Sequence, residues 1–329
     1  MPRRHIVRSG PKPSDVLLRH GVSAPPSAMR TLMQGVVDYA GLFPPASLSM
    51  HAAVVNYAGY RASADAWMLG RFVVPVSRLT EWRDTVAGVS ADARQAWRGA
   101  RLSGLLSGEY AQEAEAIAAF NATQPFDVQV DTAEGRTPTP DAVLAMAAAM
   151  PDDVTLYCEL PHREDPAALL ASVRAAGVRA KIRTGGVTAD AFPSSHEIIR
   201  FLRRCVQAGV TAKATAGLHH PVRGDYRLTY ANDAPHGMMY GYLNLILCAA
   251  ALRAGASDET ATAILQHTDR ASITISDAGV RVGEAVIPVA ALGEVRADGV
   301  VAFGSCSFRE PVDELDSLIG SMPRAPRDN

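Results

Sequence analysis

Lysine is scarce in this sequence: of 32 basic residues, only Lys12, Lys181 and Lys213 are lysines. Arginine supplies the ordinary ion pairing, so lysine stands out as the basic residue that can give up its proton, which arginine cannot. A basic run is also missing and the formal net charge is −2, which argues against nucleic acid as the main partner. No apolar stretch reaches the roughly 18 residues that span a bilayer, so no membrane partner is expected. The longest, residues 238–252, is broken by Gly241 and Asn244 and reads as a buried helix. The early arginines are followed by no apolar core, so a secretory leader is not expected. Cys158, Cys205, Cys248 and Cys306 have no close spacing. They read as reduced, buried thiols of a cytoplasmic protein rather than a thiolate zinc site. No Gly-x-Gly-x-x-Gly, Walker-type loop or Gly-x-Ser-x-Gly elbow stands in a fitting context, which lowers nucleotide-binding and serine-hydrolase readings.

What is present is a tandem pair. Gly177-Val-Arg-Ala-Lys-Ile-Arg-Thr-Gly-Gly186 is followed 32 residues later by Gly209-Val-Thr-Ala-Lys-Ala-Thr-Ala-Gly-Leu218, each with a lysine four residues after its first glycine. Each copy reads as a helix-ending glycine, a short strand and a glycine turn. Similar apolar runs recur at residues 71–75, 101–107, 126–131, 154–160, 178–183 and 210–215, separated by alanine-rich helical segments. That alternation predicts an α/β chain, a (β/α)8 TIM-barrel-like fold with an N-terminal helical extension. Residues 1–27 read as a flexible tail and 28–329 as one barrel domain, with N-terminal helices over 28–70. Helical patterns cover residues 27–39 and 50–64, separated by Asp38-Tyr-Ala-Gly-Leu-Phe-Pro-Pro45. That loop either lies over a pocket or plugs the core with its aromatics. After residue 215 the rhythm breaks into helices over 236–254 and 258–269, a hairpin over 273–287 and a last strand at 300–308. The seventh barrel strand has no clear place.

Catalytic groups in such a barrel come from the C-terminal ends of strands and the loops beyond them. Those ends hold Gln129 and Asp131, Glu159, Lys181 with Arg183 and Thr184, and Lys213 with Thr215. Beyond them come His219 and His220, then Ser305, Cys306 and Ser307. Inward charges in an apolar barrel are costly unless paired or working. The lysines are therefore read as a neutral nucleophile and its electrostatic neighbour, or as plain anion binders. On adjacent strands their amines are expected within about 4–7 Å of each other, with repulsion lowering one pKa below its usual ~10.4.

Two resemblances follow from these motifs. Asp38-Tyr-Ala-Gly-Leu-Phe-Pro-Pro45, Lys181-Ile-Arg-Thr-Gly-Gly186, Lys213-Ala-Thr-Ala-Gly-Leu-His-His-Pro221 and Phe303-Gly-Ser-Cys-Ser-Phe308 resemble an uncharacterised bacterial protein family, a likeness that implies no activity. The segment from Glu159 to Leu218 is similar to the deoxyribose-phosphate aldolase family of class I aldolases. That likeness implies that Lys181, with Thr184 and Gly185, is the Schiff-base lysine and Lys213 the second lysine, with Asp131 in the place of the acidic proton-transfer residue. Gly186 stands where that family has an aromatic residue, and Gly217-Leu-His-His220 replaces its phosphate-binding glycine pair. These departures argue against a sugar phosphate.

The first reading is thus a carbon–carbon lyase acting on a small anionic carbonyl metabolite, needing neither metal nor cofactor. Lys181 attacks the carbonyl, Lys213 tunes it, and Asp131, Glu159 and His219 move protons. Arg183, Thr184, His220, Ser305 and Ser307 bind the substrate. One alternative is a metal-assisted lyase or isomerase using Glu159 with His219 or His220. The other is a non-catalytic anion-binding protein using Lys181, Arg183 and Ser305. A homo-oligomer is left open.

Overall fold

The computed structural model describes residues 25–320; most of the expected tail, residues 1–24, lies outside them. Eight parallel strands close into a barrel in the order β1-β13-β7-β6-β5-β4-β3-β2. They are β1 (Val37–Tyr39), β2 (Leu69–Pro75), β3 (Arg101–Leu105), β4 (Gln129–Arg136), β5 (Thr155–Glu159), β6 (Arg179–Arg183), β7 (Ala212–Thr215) and β13 (Val300–Ser305). Helices cover the outside, giving the (β/α)8 TIM-barrel-like architecture. No helix among the described residues is long and apolar enough to cross a membrane.

The expected N-terminal helical extension is largely the barrel's own first unit. Among the described residues, only α1 (Ser27–Met33) precedes the barrel. Residues 37–39 are β1, and α2 (Met50–Arg61) leads from it to β2. A three-residue strand with aspartate at its centre opposes strand propensity, which is why the segment reads as the end of a helix. Asp38 is there for its contacts, described below. The missing barrel strand is therefore this one. The hairpin at residues 273–287 belongs instead to a separate three-stranded antiparallel sheet outside the barrel, formed by β10 (Ile273–Ile275), β11 (Gly279–Val282) and β12 (Ala285–Pro288). Residues 236–239 are also strand, β9 (His236–Met239), paired with β8 (Gly224–Arg227), and the buried helix α9 (Tyr242–Arg253) begins only after it.

The tandem glycine-strand units form as their residues dictate. The helix α8 (Ser195–Ala208) opens on a capping box, with the Ser194 and Glu197 side chains each bonding the other's backbone N–H. It buries Ile198, Ile199, Phe201, Leu202 and Cys205 and stops at Gly209, whose φ of 62° suits a residue without Cβ. Along each strand, side chains alternate between the helical ring and the barrel interior. The outward set is apolar. Phe303 stacks on Tyr242 of α9 at 4.7 Å, while Phe72 meets Tyr57 of α2 at 5.4 Å and Trp97 of α4 (Ala91–Trp97) at 5.3 Å.

Trp97 is wholly buried and touches Tyr57, Phe72 and Trp82. Trp97→Ala should lower unfolding stability in urea by about 3–5 kcal/mol, the usual cost of deleting a large buried aromatic. A loss below 1 kcal/mol would contradict this packing.

Candidate active site

Inside the barrel the strand register sets charges side by side. Arg136 on β4 stands opposite Glu159 on β5, Glu159 opposite Lys181 on β6, and Lys181 opposite Lys213 on β7. Glu134, two residues before Arg136 on β4, sits between the lysines. Its Oε2 accepts from Lys181 Nζ at 2.9 Å and its Oε1 from Lys213 Nζ at 2.7 Å, while Ser103 Oγ donates to Oε1 at 2.6 Å. Lys181 also lies 2.9 Å from Glu159 Oε2, and Lys213 bonds Asp38 Oδ2 at 2.5 Å. Asp38 in turn accepts the Arg71 backbone N–H at 2.7 Å, tying β1 to β2. The Tyr157 ring faces Lys213 Nζ at 5.2 Å. Lys213 is 1% and Lys181 3% exposed, and at 7% Glu159 is the most open of the three carboxylates.

Both lysines point inward as expected, and a single carboxylate bridges their amines. That carboxylate changes the electrostatics. Burial works to lower the Lys213 pKa, but Asp38 and Glu134 outweigh it and push Lys213 above the ordinary lysine value. The expected lowering through lysine–lysine repulsion is thus reversed at Lys213. Burial likewise opposes ionisation of Glu134, yet Lys181 and Lys213 prevail and hold it well below the usual carboxylate range. Lys213 and Glu134 are a fixed ion pair. Lys181 is held between Glu134 and the more open Glu159.

Of the expected site residues, Asp131 does not join this network. β4 runs on to Arg136, and a register shift against β3 between Leu102 and Ser103 moves the pleat by one residue. Asp131 is left paired with Arg71 at 2.6 Å and Arg101 at 3.8 Å, toward the strand starts. Glu134 takes the place expected for it at the lysines. Thr184 is wholly buried and spends its hydroxyl on the Ala216 carbonyl at 2.8 Å, clamping the two lysine-bearing turns together. Ser307 caps α12 (Arg309–Gly320) by accepting the Glu310 N–H at 3.1 Å. Arg183 is exposed at the end of β6.

The remaining expected residues form a second cluster beyond the ends of β7 and β13. His219 Nδ1 lies 3.5 Å from Ser305 Oγ, 3.8 Å from Cys306 Sγ and 3.3 Å from Glu310 Oε2. Burial disfavours its charged form, but Cys306 and Glu310 override that and its pKa is pushed up to about 10. His220 Nδ1 faces Glu314 Oε1 at 2.6 Å. His219 thus stands beside Cys306 although 87 residues separate them along the chain. Glu159 contacts Lys181 and Arg136 rather than either histidine. A groove of about 400 Å3 between α8 and α10 (Asp258–Gln266) lies apart from both clusters. Two of its arginines are already taken, Arg203 by Asp258 and Arg204 by Asp165.

Glu134→Gln removes the shared carboxylate and should cost about 3–5 kcal/mol at neutral pH, as breaking a buried ion pair does. Because the folded-state pKa of Glu134 lies below its unfolded value of about 4.3, its contribution is present above that value and fades as the pH falls. Chemical denaturation of both proteins should show the gap narrowing below about pH 4. A gap that stays constant into acid would show that the ionised carboxylate is not the source.

The chain matches no family model and none of the curated proteins compared with it.

Proposed function

We propose that this barrel is a lyase that makes or breaks a carbon–carbon bond beside a carbonyl through a Schiff base on Lys181. The observation that carries the reading is a lysine set 2.9 Å from each of two buried carboxylates in a barrel interior usually filled with branched apolar side chains. Lys213 also meets two carboxylates, but only Lys181 has one, Glu159, that reaches the rim beside Arg136, where it can take up and pass on the proton a nucleophilic lysine must lose.

The roles divide by exposure and charge. Lys213 stays protonated and keeps Glu134 ionised. Glu159 accepts the Lys181 proton, leaving a neutral amine that adds to the substrate carbonyl. Glu159 then returns a proton to the departing hydroxyl, so water leaves and a protonated imine remains on Nζ. That imine withdraws electrons from the adjacent carbon–carbon bond as it breaks, and hydrolysis restores the lysine. Arg183 suits a substrate carboxylate, which it can hold by two parallel hydrogen bonds. The substrate class is a small carbonyl compound bearing an anionic group.

Borohydride reduction in the presence of a panel of small aldehydes and 2-oxo acids should add the substrate mass to the Lys181 peptide. Lys181→Arg should abolish both the adduct and turnover while leaving the fold intact by circular dichroism. Glu159→Gln should lower kcat by about 10²–10⁴-fold, the usual contribution of a general acid–base. An anion-binding protein instead predicts that Lys181→Arg keeps ligand affinity. No adduct across the panel, together with retained binding in that variant, would sink the lyase reading.

A further inference from the structure

The second cluster shares no hydrogen bond or ion pair with the lysine network among the described residues, and its chemistry differs. Glu310 and Glu314 stand four residues apart on α12 and so share one helix face. The loop after β7 brings His220 against them. One donor atom from each of His220, Glu310 and Glu314 lies within 4.8 Å of the other two.

An ordinary histidine–carboxylate pair needs one acid. Here Glu310, itself beside His219, also comes within reach of the His220–Glu314 pair, so that three donors converge on one point. Each donor is also oriented by a neighbour. The Tyr226 ring stacks on His220 with centroids 3.5 Å apart and planes 10° from parallel. Arg270 donates to Glu314 Oε2 at 2.9 Å, leaving Oε1 facing His220, and also to Tyr226 Oη at 2.9 Å. Tyr230 donates to Glu310 Oε2 at 2.9 Å, and His219 lies beside the same oxygen. Outer contacts of this kind hold metal ligands in position before the ion arrives. The histidine is buried, while the two carboxylates are a little over a quarter exposed, so an ion has a way in from solvent.

We propose that His220, Glu310 and Glu314 bind one divalent transition-metal ion at the barrel mouth. One imidazole nitrogen with two carboxylate oxygens suits zinc, manganese or iron(II) better than magnesium or calcium. Three protein ligands leave a coordination position for water or a substrate oxygen, as in catalytic rather than structural sites. The site does not depend on the Schiff-base reading, since neither Lys181 nor Glu159 belongs to it.

The test uses the full chain, stripped with chelator and equilibrated with Zn2+ or Mn2+ near neutral pH. Elemental analysis should find one ion per chain. Titration calorimetry should show at least about tenfold weaker binding in His220→Ala and Glu314→Gln, the loss typical of a disturbed metal site, and unchanged binding in Lys181→Arg. The ion should raise the Tm of the wild-type chain but not of Glu314→Gln. Absorption of Co2+ bound to folded wild-type protein reads the same site without any variant, so a variant that fails to fold leaves the question decided. Failure of the folded wild-type chain to bind any of these ions, or equal affinity in both variants, would overturn the proposal. An adduct on Lys181 in such a chain would leave the lyase reading standing.

Discussion

Everything inside the barrel depends on one carboxylate being shared by two ammonium groups. Without Glu134, Lys181 and Lys213 would face each other across neighbouring strands in a region closed to water, where like charges repel strongly and solvent cannot compensate. With it, the charges form a connected chain from Asp38 through Lys213, Glu134 and Lys181 to Glu159. Burying five ionisable groups is rarely favourable on balance compared with packing hydrocarbon in the same space. Their presence inside a barrel is a reason to look for chemistry there rather than for stability.

The chain of charges also grades the two lysines. Lys213 is walled in by two acids and an aromatic face and works as a permanent cation. Lys181 has the same kind of inner partner, but its outer one is Glu159, which reaches the rim beside Arg136. Two residues of one type at equivalent positions in a repeat thus have different surroundings, set by what the neighbouring strands place beside them.

The lysines were legible in the sequence because a chain built on arginine makes each lysine conspicuous, and because the glycines around them mark strand boundaries. The barrel was legible from the recurring apolar runs. Glu134 was hidden because Ala133-Glu134-Gly135-Arg136 reads as a turn, so the strand seemed finished at Asp131. The bulge that reverses the side-chain phase leaves no compositional mark. Asp38 was hidden for the opposite reason: acid is rare in strands, so a strand organised around one looks like something else. These local contradictions sit at the buried charge network, and functional sites are where sequences are expected to break propensity rules. His220 and Glu314, 94 residues apart, meet only because β7 and β13 are neighbours, which no local pattern records.

The partner of Lys213 on β1 has a consequence for when the site exists at all. β1 is held in the barrel by β13, whose residues lie more than 260 positions further along the chain, and by β2. Until the ribosome has released residues 300–305, β1 has a neighbour on the β2 side only and the ring cannot close. Chain-end contacts of such long span form late, since loop-closure entropy must be met before they stabilise anything. A nascent chain can therefore pair its lysines with Glu134 and Glu159 but lacks the closed wall around them. Release of residues 300–305 and closure of the ring around the two lysines coincide in one event.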